Sequence, residues 1–326
     1  MKLLLGCVNS DLSLIGFDWD KGEVFWSCPQ TKLKVCGICY DGPDLLISTD
    51  DFLTRVTPSG YIRTRLNGRH EALSHSVHVI EDDLVGIVDT GNTRVVGFNR
   101  KGEQEVEFEP LKEWGEIPKD AIHLNDFAVT ASGILASSFD YRPWRQTKED
   151  ITWDDWCTGG YGVVLNLTGN GVTGKGRIVG CGFNHPHSLN FVDPYLYLCS
   201  SATGIFHKCE IDDTGVVREK DRFKVSQDHF LRGAHKMGTE WFLGGSAVRH
   251  GQGVVLSQRV VLYRLDEETG KVENRTVLWG HGEIYDVLPW RDEVMEPLIR
   301  KHFSETVAPV QDRDNSAPLE TRMGTR

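Results

Sequence analysis

The feature that most constrains this chain is a strand-and-turn pattern that repeats along almost its whole length. Short runs rich in Val, Ile, Leu and aromatic residues are separated by Gly, Asp, Asn and Pro, and helical periodicity is nearly absent before residue 292. Grouped in fours, the runs form units of about 40 to 50 residues, which is the period of propeller blades. The pattern therefore predicts an all-β fold built from consecutive four-stranded sheets.

Five units are complete, and a sixth is split between the two ends of the chain. The first complete unit reads VCGICYD, DLLISTD, FLTRVTP and GYIRTRL, and the last reads RGAHKMG, EWFLGGS, VVLYRLD and VENRTVLW. Left over are KLLLGCV, LSLIGFD and GEVFWSC at the start and EIYDVLPW near the end. Three strands plus one complete a ring without an open sheet edge. We therefore predict a six-bladed β-propeller over 1–290, with a short C-terminal helix and a flexible tail in 291–326.

Charge and hydropathy limit the partners. The chain has 47 acidic and 36 basic residues, a net charge of −11, which argues against binding to nucleic acid. No run of about 20 apolar residues is present, so we expect no membrane span. The start, MKLLLGCVNSD, reaches Asp11 too early for a secretory signal, which predicts a cytoplasmic location and reduced cysteines. A small-molecule ligand is the expected partner, and the oligomeric state is left open.

A polar tetrad opens the first strand of five units, and first strands line the channel of a propeller. The first residues of the five tetrads should therefore ring one mouth of the channel: His75, His123, His187, Arg232 and Glu283. In the remaining blade the equivalent residue is Cys36. The fourth residues are His78, Asp126, Asn190, His235 and Asp286. Residues three apart on a regular strand point to opposite faces. We therefore expect the first set to form the inner ring, with His78 and His235 as additions if the strands begin irregularly.

A ring of imidazoles is a typical site for a transition metal, with three protein ligands and an open position in catalytic sites. Zn, Mn or Fe is the expected ion, and copper is a further candidate. Arg232 would bind an anionic substrate. Glu283 would be a metal ligand or the general base, with Asp126 as the alternative group that moves protons. Asp126 or Asp286 would orient a histidine, and all four residues are candidate catalytic residues. Asn125 and Ser188, inside the tetrads, are further candidates for contacts with the substrate.

A long insertion, Tyr141 to Gly160, joins the second and third strands of its unit and should lie over the same mouth. Its residues Trp144 and Trp153 offer apolar surface to cover a pocket or stack on a ligand.

Structural explanations compete with these roles. Polar residues on inner strands often satisfy the backbone of a neighbouring blade. In the structural explanation, Arg232 and Glu283 simply pair with each other across the channel. Cys36 and Cys39 have zinc spacing but no second cysteine pair nearby. His185 is a weaker candidate for the mouth. Six other histidines are expected in loops or on the surface: His70, His207, His229, His250, His281 and His302.

Several stretches resemble known propellers. Asp89 to Asn99, DTGNTRVVGFN, resembles the repeat of NHL-type propellers. The HLN, PHS, RG and ExxD motifs at 123–125, 186–188, 232–233 and 283–286 are similar to those of an uncharacterised group of six-bladed propellers, some fused to tetratricopeptide repeats. That resemblance implies the fold and no settled activity. Gluconolactonase and senescence-marker proteins are more distantly similar, but their ion has Glu, Asn and Asp ligands, so lactone hydrolysis does not carry over.

Three hypotheses follow. The first is a metal-dependent hydrolase, lyase or isomerase acting on a small anionic or aromatic metabolite, with His75, His123 and His187 as metal ligands. The second is a copper or iron oxidoreductase on the same ligands. The third is a non-catalytic ligand-binding or scaffold propeller, in which the polar ring is structural.

Overall fold

The computed structural model describes residues 1–8, 12–28, 34–141, 158–168, 176–247, 259–279 and 282–303. Within these ranges the strands form six four-stranded antiparallel sheets. The predicted insertion residues Trp144 and Trp153 and the tail after residue 303 lie outside the described residues. No helix of the described ranges is long and apolar enough to cross a membrane.

Each sheet is one blade, and the strands follow the chain from the centre outward. Blade 1 contains β4 (Gly37–Asp41), β5 (Asp44–Thr49), β6 (Phe52–Val56) and β7 (Tyr61–Arg65). Blade 2 contains β8 (Ser74–Glu81), β9 (Leu84–Asp89), β10 (Arg94–Asn99) and β11 (Gln104–Phe108). Blade 3 contains β12 (Leu124–Thr130), β13 (Gly133–Ser138), β14 (Gly162–Asn166) and β15 (Arg177–Phe183).

Two more blades follow, and the sixth joins the chain ends. Blade 4 contains β16 (Pro186–Val192), β17 (Tyr195–Ser200), β18 (Ile205–Ile211) and β19 (Val217–Lys224). Blade 5 contains β20 (His229–Met237), β21 (Glu240–Ala247), β22 (Arg259–Asp266) and β23 (Val272–Trp279). Blade 6 pairs β24 (Glu283–Pro289) with β1 (Lys2–Val8), followed by β2 (Leu14–Asp18) and β3 (Glu23–Ser27). The predicted closure of the ring is confirmed.

The innermost strands contact one another in a closed circle: β4, β8, β12, β16, β20, β24 and back to β4. Apolar side chains fill the space between neighbouring blades. The buried residues fall into six clusters, one at each blade interface. Because each blade packs both faces against its neighbours, its middle strands are almost continuously buried, as in β9 and β10, whereas outer strands such as β7 and β19 are largely exposed. This is the six-bladed β-propeller that the sequence predicts.

Helix α1 (Asp292–His302) follows β24 and packs on blades 6 and 1. Its buried residues Val294, Met295 and Leu298 belong to one apolar cluster with Leu4 and Trp26. Acidic residues occupy its first turn and basic residues its last, which suits the helix dipole. The helix therefore extends the apolar core between the last blade and the first.

Candidate active site at one mouth of the channel

Every tetrad interrupts the register of its strand. The pairing shifts between Ser74 and Val77 in β8, between Leu124 and Asp126 in β12, and at the equivalent places in β16, β20 and β24. One extra residue bulges from the inner strand at each break, and a bulge changes the direction of the side chains that follow it. The first and fourth tetrad residues can therefore face the same side, which resolves the conflict posed by a regular strand.

The first tetrad residues meet at one mouth of the channel. The rings of His75 and His123 lie 5.5 Å apart between centroids, and the ring of His75 lies 5.8 Å from that of Tyr285. On the other side of His123, the ring of Phe139 lies at 4.3 Å. We call the complete set the histidine mouth, and it consists of His75, His123, Phe139, His185, His187, Phe230, Arg232, Glu283 and Tyr285.

Phe139 and Phe230 lie between side chains of the histidine mouth that come from neighbouring blades. The ring of Phe139 stacks on His185 with centroids 4.1 Å apart and contacts His187 edge-on at 4.9 Å. The ring of Phe230 contacts His187 at 5.6 Å. The sequence analysis did not identify Phe139, Phe230 or Tyr285 as site residues. Phe230 and Tyr285 lie beside or inside a tetrad, which is the signal that could have found them.

The three predicted metal ligands share one tautomer. Nδ1 of His75 donates to the carbonyl of Leu73 at 3.0 Å, and Nδ1 of His187 donates to the carbonyl of His185 at 3.0 Å. Nδ1 of His123 donates to the carboxylate of Asp120 at 2.9 Å. Since carbonyl and carboxylate oxygens only accept, the proton of each neutral ring is on Nδ1. In the neutral form of each ring, Nε2 would be the nitrogen with the lone pair.

Burial keeps most of these imidazoles neutral. Burial, followed by the charge of His123, lowers the pKa of His75 to about 3. Burial also lowers the pKa of His185 to about 3. The pKa of His187 lies well below its usual value because of burial and the nearby charge of Arg232. At neutral pH these three rings are hydrogen-bond acceptors and uncharged ligands.

Arg232 and Glu283 form an ion pair between blades 5 and 6. The guanidinium carbon of Arg232 lies 4.7 Å from the ring centre of Phe230 and 4.4 Å from that of Tyr285. Only 15% of the Arg232 side chain and 6% of the Glu283 side chain are exposed. The structure confirms that Arg232 and Glu283 pair with each other. The pair places a cation among aromatic rings.

The fourth tetrad residues of two blades hold backbone amides of the next blade. Asp126 accepts hydrogen bonds from the amide of Leu189 at 2.8 Å and from Nε2 of His78 at 2.8 Å. Asp286 accepts a hydrogen bond from the amide of Ile38 at 2.9 Å. Both carboxylates therefore link blades. Catalytic roles for Asp126 and Asp286 stay predictions.

The pKa values of Asp286, His78 and His235, which occupy the fourth tetrad position, are shifted in different directions. Burial raises the pKa of Asp286 to about 7, against the opposing effect of the Ile38 amide. Burial works against the charged form of His78, but Asp126 outweighs it and the pKa of His78 is raised. Burial lowers the pKa of His235 to about 4. His78 is thus bound to a carboxylate, and His235 is held neutral.

The remaining predicted residues lie close to the histidine mouth. Nδ2 of Asn125 donates to the carbonyl of Pro186 at 3.3 Å, and its Oδ1 is buried with no partner among the described residues. The carbonyl of Ser188 accepts a hydrogen bond from Asn190, and Ser188 is buried. Cys36 is also buried, with its thiol donating to the carbonyl of Lys34 at 3.5 Å.

Two histidines that we expected on the surface are buried, so that prediction is wrong for them. His207 lies in β18, where Nδ1 donates to Glu219 at 2.6 Å and Nε2 accepts from the hydroxyl of Ser200 at 2.8 Å. The Ser200 hydroxyl in turn accepts from the amide of Asn184, just before the turn that carries His185. His229 opens β20 and is hydrogen-bonded to the hydroxyl of Tyr263 at 2.8 Å. Neighbouring strands cover both rings.

Metal binding is not preorganised at this mouth. In the ranges that the structure describes, no group of three or more His, Cys, Asp or Glu side chains is placed to hold a metal ion. The donor chemistry nevertheless fits, because metal-bound histidines commonly donate their second ring nitrogen to a carbonyl or carboxylate. The rings of His75, His123 and His187 would have to turn toward a common point.

Comparison with known proteins gives the fold. No protein-family model matches the sequence, and no curated protein is significantly similar to it. A protein of unknown function from Bacteroides caccae has a TM-score of 0.58 and 15% identity, covering 89% of this chain and 98% of that chain. This chain shares its architecture with it.

Two other solved structures share the architecture. A chain of a nidogen/laminin complex has a TM-score of 0.58 at 10% identity, covering 88% of this chain and 97% of that one. Streptogramin B lyase has a TM-score of 0.50 at 11% identity, with 84% and 83% covered. At such identities the likeness extends to the fold alone, because one fold carries many unrelated functions.

Proposed function

We propose that this protein is an enzyme that acts on a small anionic or aromatic metabolite at the histidine mouth. The observation that carries the proposal is the buried Arg232–Glu283 pair, set among aromatic rings beside imidazoles that burial keeps neutral. A buried cation next to uncharged proton acceptors is an arrangement suited to binding an anion and moving a proton. Hydrolysis, elimination and isomerisation of an anionic metabolite would use both steps.

Each residue has a defined part in this proposal. Arg232 binds the anionic group of the substrate, since its guanidinium is a permanent donor in a poorly solvated place. Glu283 is the proton-transfer group: when a substrate anion takes its place on Arg232, the carboxylate loses its counter-charge and its affinity for a proton rises. Tyr285 and Phe230 position the guanidinium between their rings. Asp126 and Asp286 hold the strands that carry these groups.

We also propose a divalent transition metal as the cofactor, held by Nε2 of His75, His123 and His187. The shared tautomer of the three rings supports this ligand set, because each Nδ1–H is already bound to an oxygen of the protein. Zn, Mn or Fe fits imidazole ligands, and Cu is the further candidate. Such an ion would polarise a carbonyl group or activate water.

The first experiment is metal analysis of untagged protein by mass spectrometry, after incubation with Zn, Mn, Fe or Cu and removal of free ion. We expect about one equivalent of one metal in the wild type and none in a His123→Ala, His187→Ala double variant. The matched control is His70→Ala, whose Nε2 is bound to the carbonyl of Ile117 away from the mouth. Absence of bound metal in the wild type under all four conditions would refute the proposed metal site.

The identity of the metal separates two kinds of chemistry. Zn or Mn would favour hydrolase, lyase or isomerase chemistry. Cu or Fe with a visible absorption band and oxygen consumption would favour the oxidoreductase alternative instead.

A non-catalytic ligand-binding or scaffold propeller is the second candidate. The observation that favours it is that Asp126 and Asp286 bind backbone amides of the next blade, so part of the polar ring stabilises the fold. This function predicts that substitutions at the histidine mouth change stability or ligand affinity and never a turnover rate.

A further inference from the structure

Two polar atoms on facing residues of the histidine mouth, one on Arg232 and one on His187, have no hydrogen-bond partner among the described residues. They are Nε of Arg232 and Nε2 of His187. His187 is 5% exposed and the Arg232 side chain 15%. Burying a polar atom without a partner is unfavourable, and the exceptions found in proteins commonly mark sites of function. These two atoms therefore point to a ligand.

The two atoms have opposite hydrogen-bonding character. Nε of a guanidinium carries a hydrogen and only donates. Nε2 of His187 is the acceptor nitrogen of the imidazole, because the hydrogen on Nδ1 is donated to the carbonyl of His185 at 3.0 Å. A ligand that satisfies both atoms must offer an acceptor to Arg232 and a donor to His187. The positive charge of Arg232 favours an anionic acceptor.

Both atoms belong to side chains that lie against the same ring. Phe230 has the guanidinium carbon of Arg232 at 4.7 Å from its centre and the ring of His187 at 5.6 Å. Phe139 covers another side of His187 at 4.9 Å, and Tyr285 covers the guanidinium at 4.4 Å. The side chains that carry the donor and the acceptor thus pack around the same aromatic ring. Those walls suit a flat, apolar body on the ligand.

We propose that the histidine mouth binds a small aromatic 2-hydroxycarboxylate. Its carboxylate accepts from Nε of Arg232, its hydroxyl donates to Nε2 of His187, and its ring packs among Phe139, Phe230 and Tyr285. This proposal rests on the proposed function, for which it names the substrate class. A metal on Nε2 of His187 would take the lone pair to which the hydroxyl donates, so this proposal concerns the mouth without metal.

The test is calorimetric titration of the full chain, with chelator present, using mandelate and three analogues that each lack one feature. Phenylacetate lacks the hydroxyl, 1-phenylethane-1,2-diol lacks the carboxylate, and hexahydromandelate lacks the aromatic ring. We expect mandelate to bind at least about tenfold more tightly than each analogue, which is the effect of one buried hydrogen bond or aromatic contact. The comparison in the wild type does not depend on any variant folding.

Two conservative variants assign the contacts. His187→Asn keeps a side-chain N–H for the carbonyl of His185 and removes the acceptor, so mandelate should bind no better than phenylacetate. Arg232→Lys keeps the charge for Glu283 and removes the guanidinium Nε, so mandelate should weaken about tenfold or more. His70→Asn is the control and should bind like the wild type. Thermal unfolding of each variant verifies that it is folded.

Two results would overturn the proposal: equal affinity of the wild type for mandelate and phenylacetate, or no binding of mandelate below about 10 mM. Its failure is distinct from failure of the proposed function. A protein that binds mandelate but turns over nothing keeps this ligand class and loses the enzymatic role. An active metalloprotein that ignores mandelate keeps the enzymatic role and loses the ligand class.

Discussion

Asp126 is the residue at which a structural role and a catalytic role are most readily separated. Its carboxylate accepts from the amide of Leu189 at 2.8 Å, the amide of Phe127 at 2.7 Å and Nε2 of His78 at 2.8 Å. These bonds join blades 2, 3 and 4. Asp126→Asn keeps the size of the side chain but replaces one acceptor oxygen with a donor.

The expected loss of stability follows from these bonds. One buried N–H of Leu189 or Phe127 loses its acceptor, at about 1–3 kcal/mol. The bond to His78 also loses its charge, which adds about 1 kcal/mol. We therefore expect Asp126→Asn to lower the free energy of unfolding by about 2–4 kcal/mol. At about 2 °C per kcal/mol for a chain of this size, Tm should fall by roughly 4–8 °C.

Urea unfolding at pH 7 with the change in tryptophan fluorescence measures this loss. The matched control is Asn190→Ala at the equivalent position of blade 4, where the side-chain amide donates to the carbonyl of Ser188 at 3.1 Å within its own strand. We expect the control to lose about 1 kcal/mol. If Asp126→Asn loses no more than this control, the carboxylate does not stabilise the blade junction and the reasoning is wrong.

Three further predictions concern other residues. The folded-state pKa of Asp286, about 7, exceeds its usual 3.8, so its stabilisation is present at low pH and is lost as pH rises from about 4 to 7. Asp286→Asn should therefore destabilise the protein more at pH 4.5 than at pH 7.5 in thermal unfolding. Glu267 binds Lys208 and Lys236, both at 2.6 Å, so Glu267→Gln should lower the free energy of unfolding by about 2–4 kcal/mol in urea; an unchanged midpoint would contradict this. Gly233 has φ +62°, and a Cβ there would lie 2.8 Å from Cα of Asp286, so Gly233→Ala should lower Tm by several degrees, measured by calorimetry.

The fold could be predicted because each complete blade is encoded by one continuous stretch of the sequence. Each blade is a consecutive run of apolar strands and turns, and the leftover strand EIYDVLPW requires a partner, which β1 supplies. The meeting of His75, His123, His187, Arg232 and Glu283 followed from aligning the tetrads. Their convergence depends on repeated strands that occupy equivalent places in a ring.

The details of the site were less accessible. Phe139 follows β13, and nothing in its local sequence tells that it stacks on His185. His207 looks exposed in a polar run, but Glu219 and Ser200 on neighbouring strands bind both of its ring nitrogens. The tautomers depend on carbonyl groups of the turns before the tetrads, such as Leu73 and His185. Such contacts come from tertiary packing, which periodicity does not encode.

Because β24 pairs with β1, the site can form only after residue 283 has been synthesised. Val8 pairs with Glu283, so β1 has no partner at this edge until β24 has been synthesised. Glu283 also supplies the carboxylate of the Arg232 pair. A nascent or truncated chain that ends before residue 283 has an open edge at β1, lacks this carboxylate and leaves the Arg232 cation uncompensated. The ring closure therefore makes the complete mouth depend on a strand that is synthesised more than 270 residues after β1.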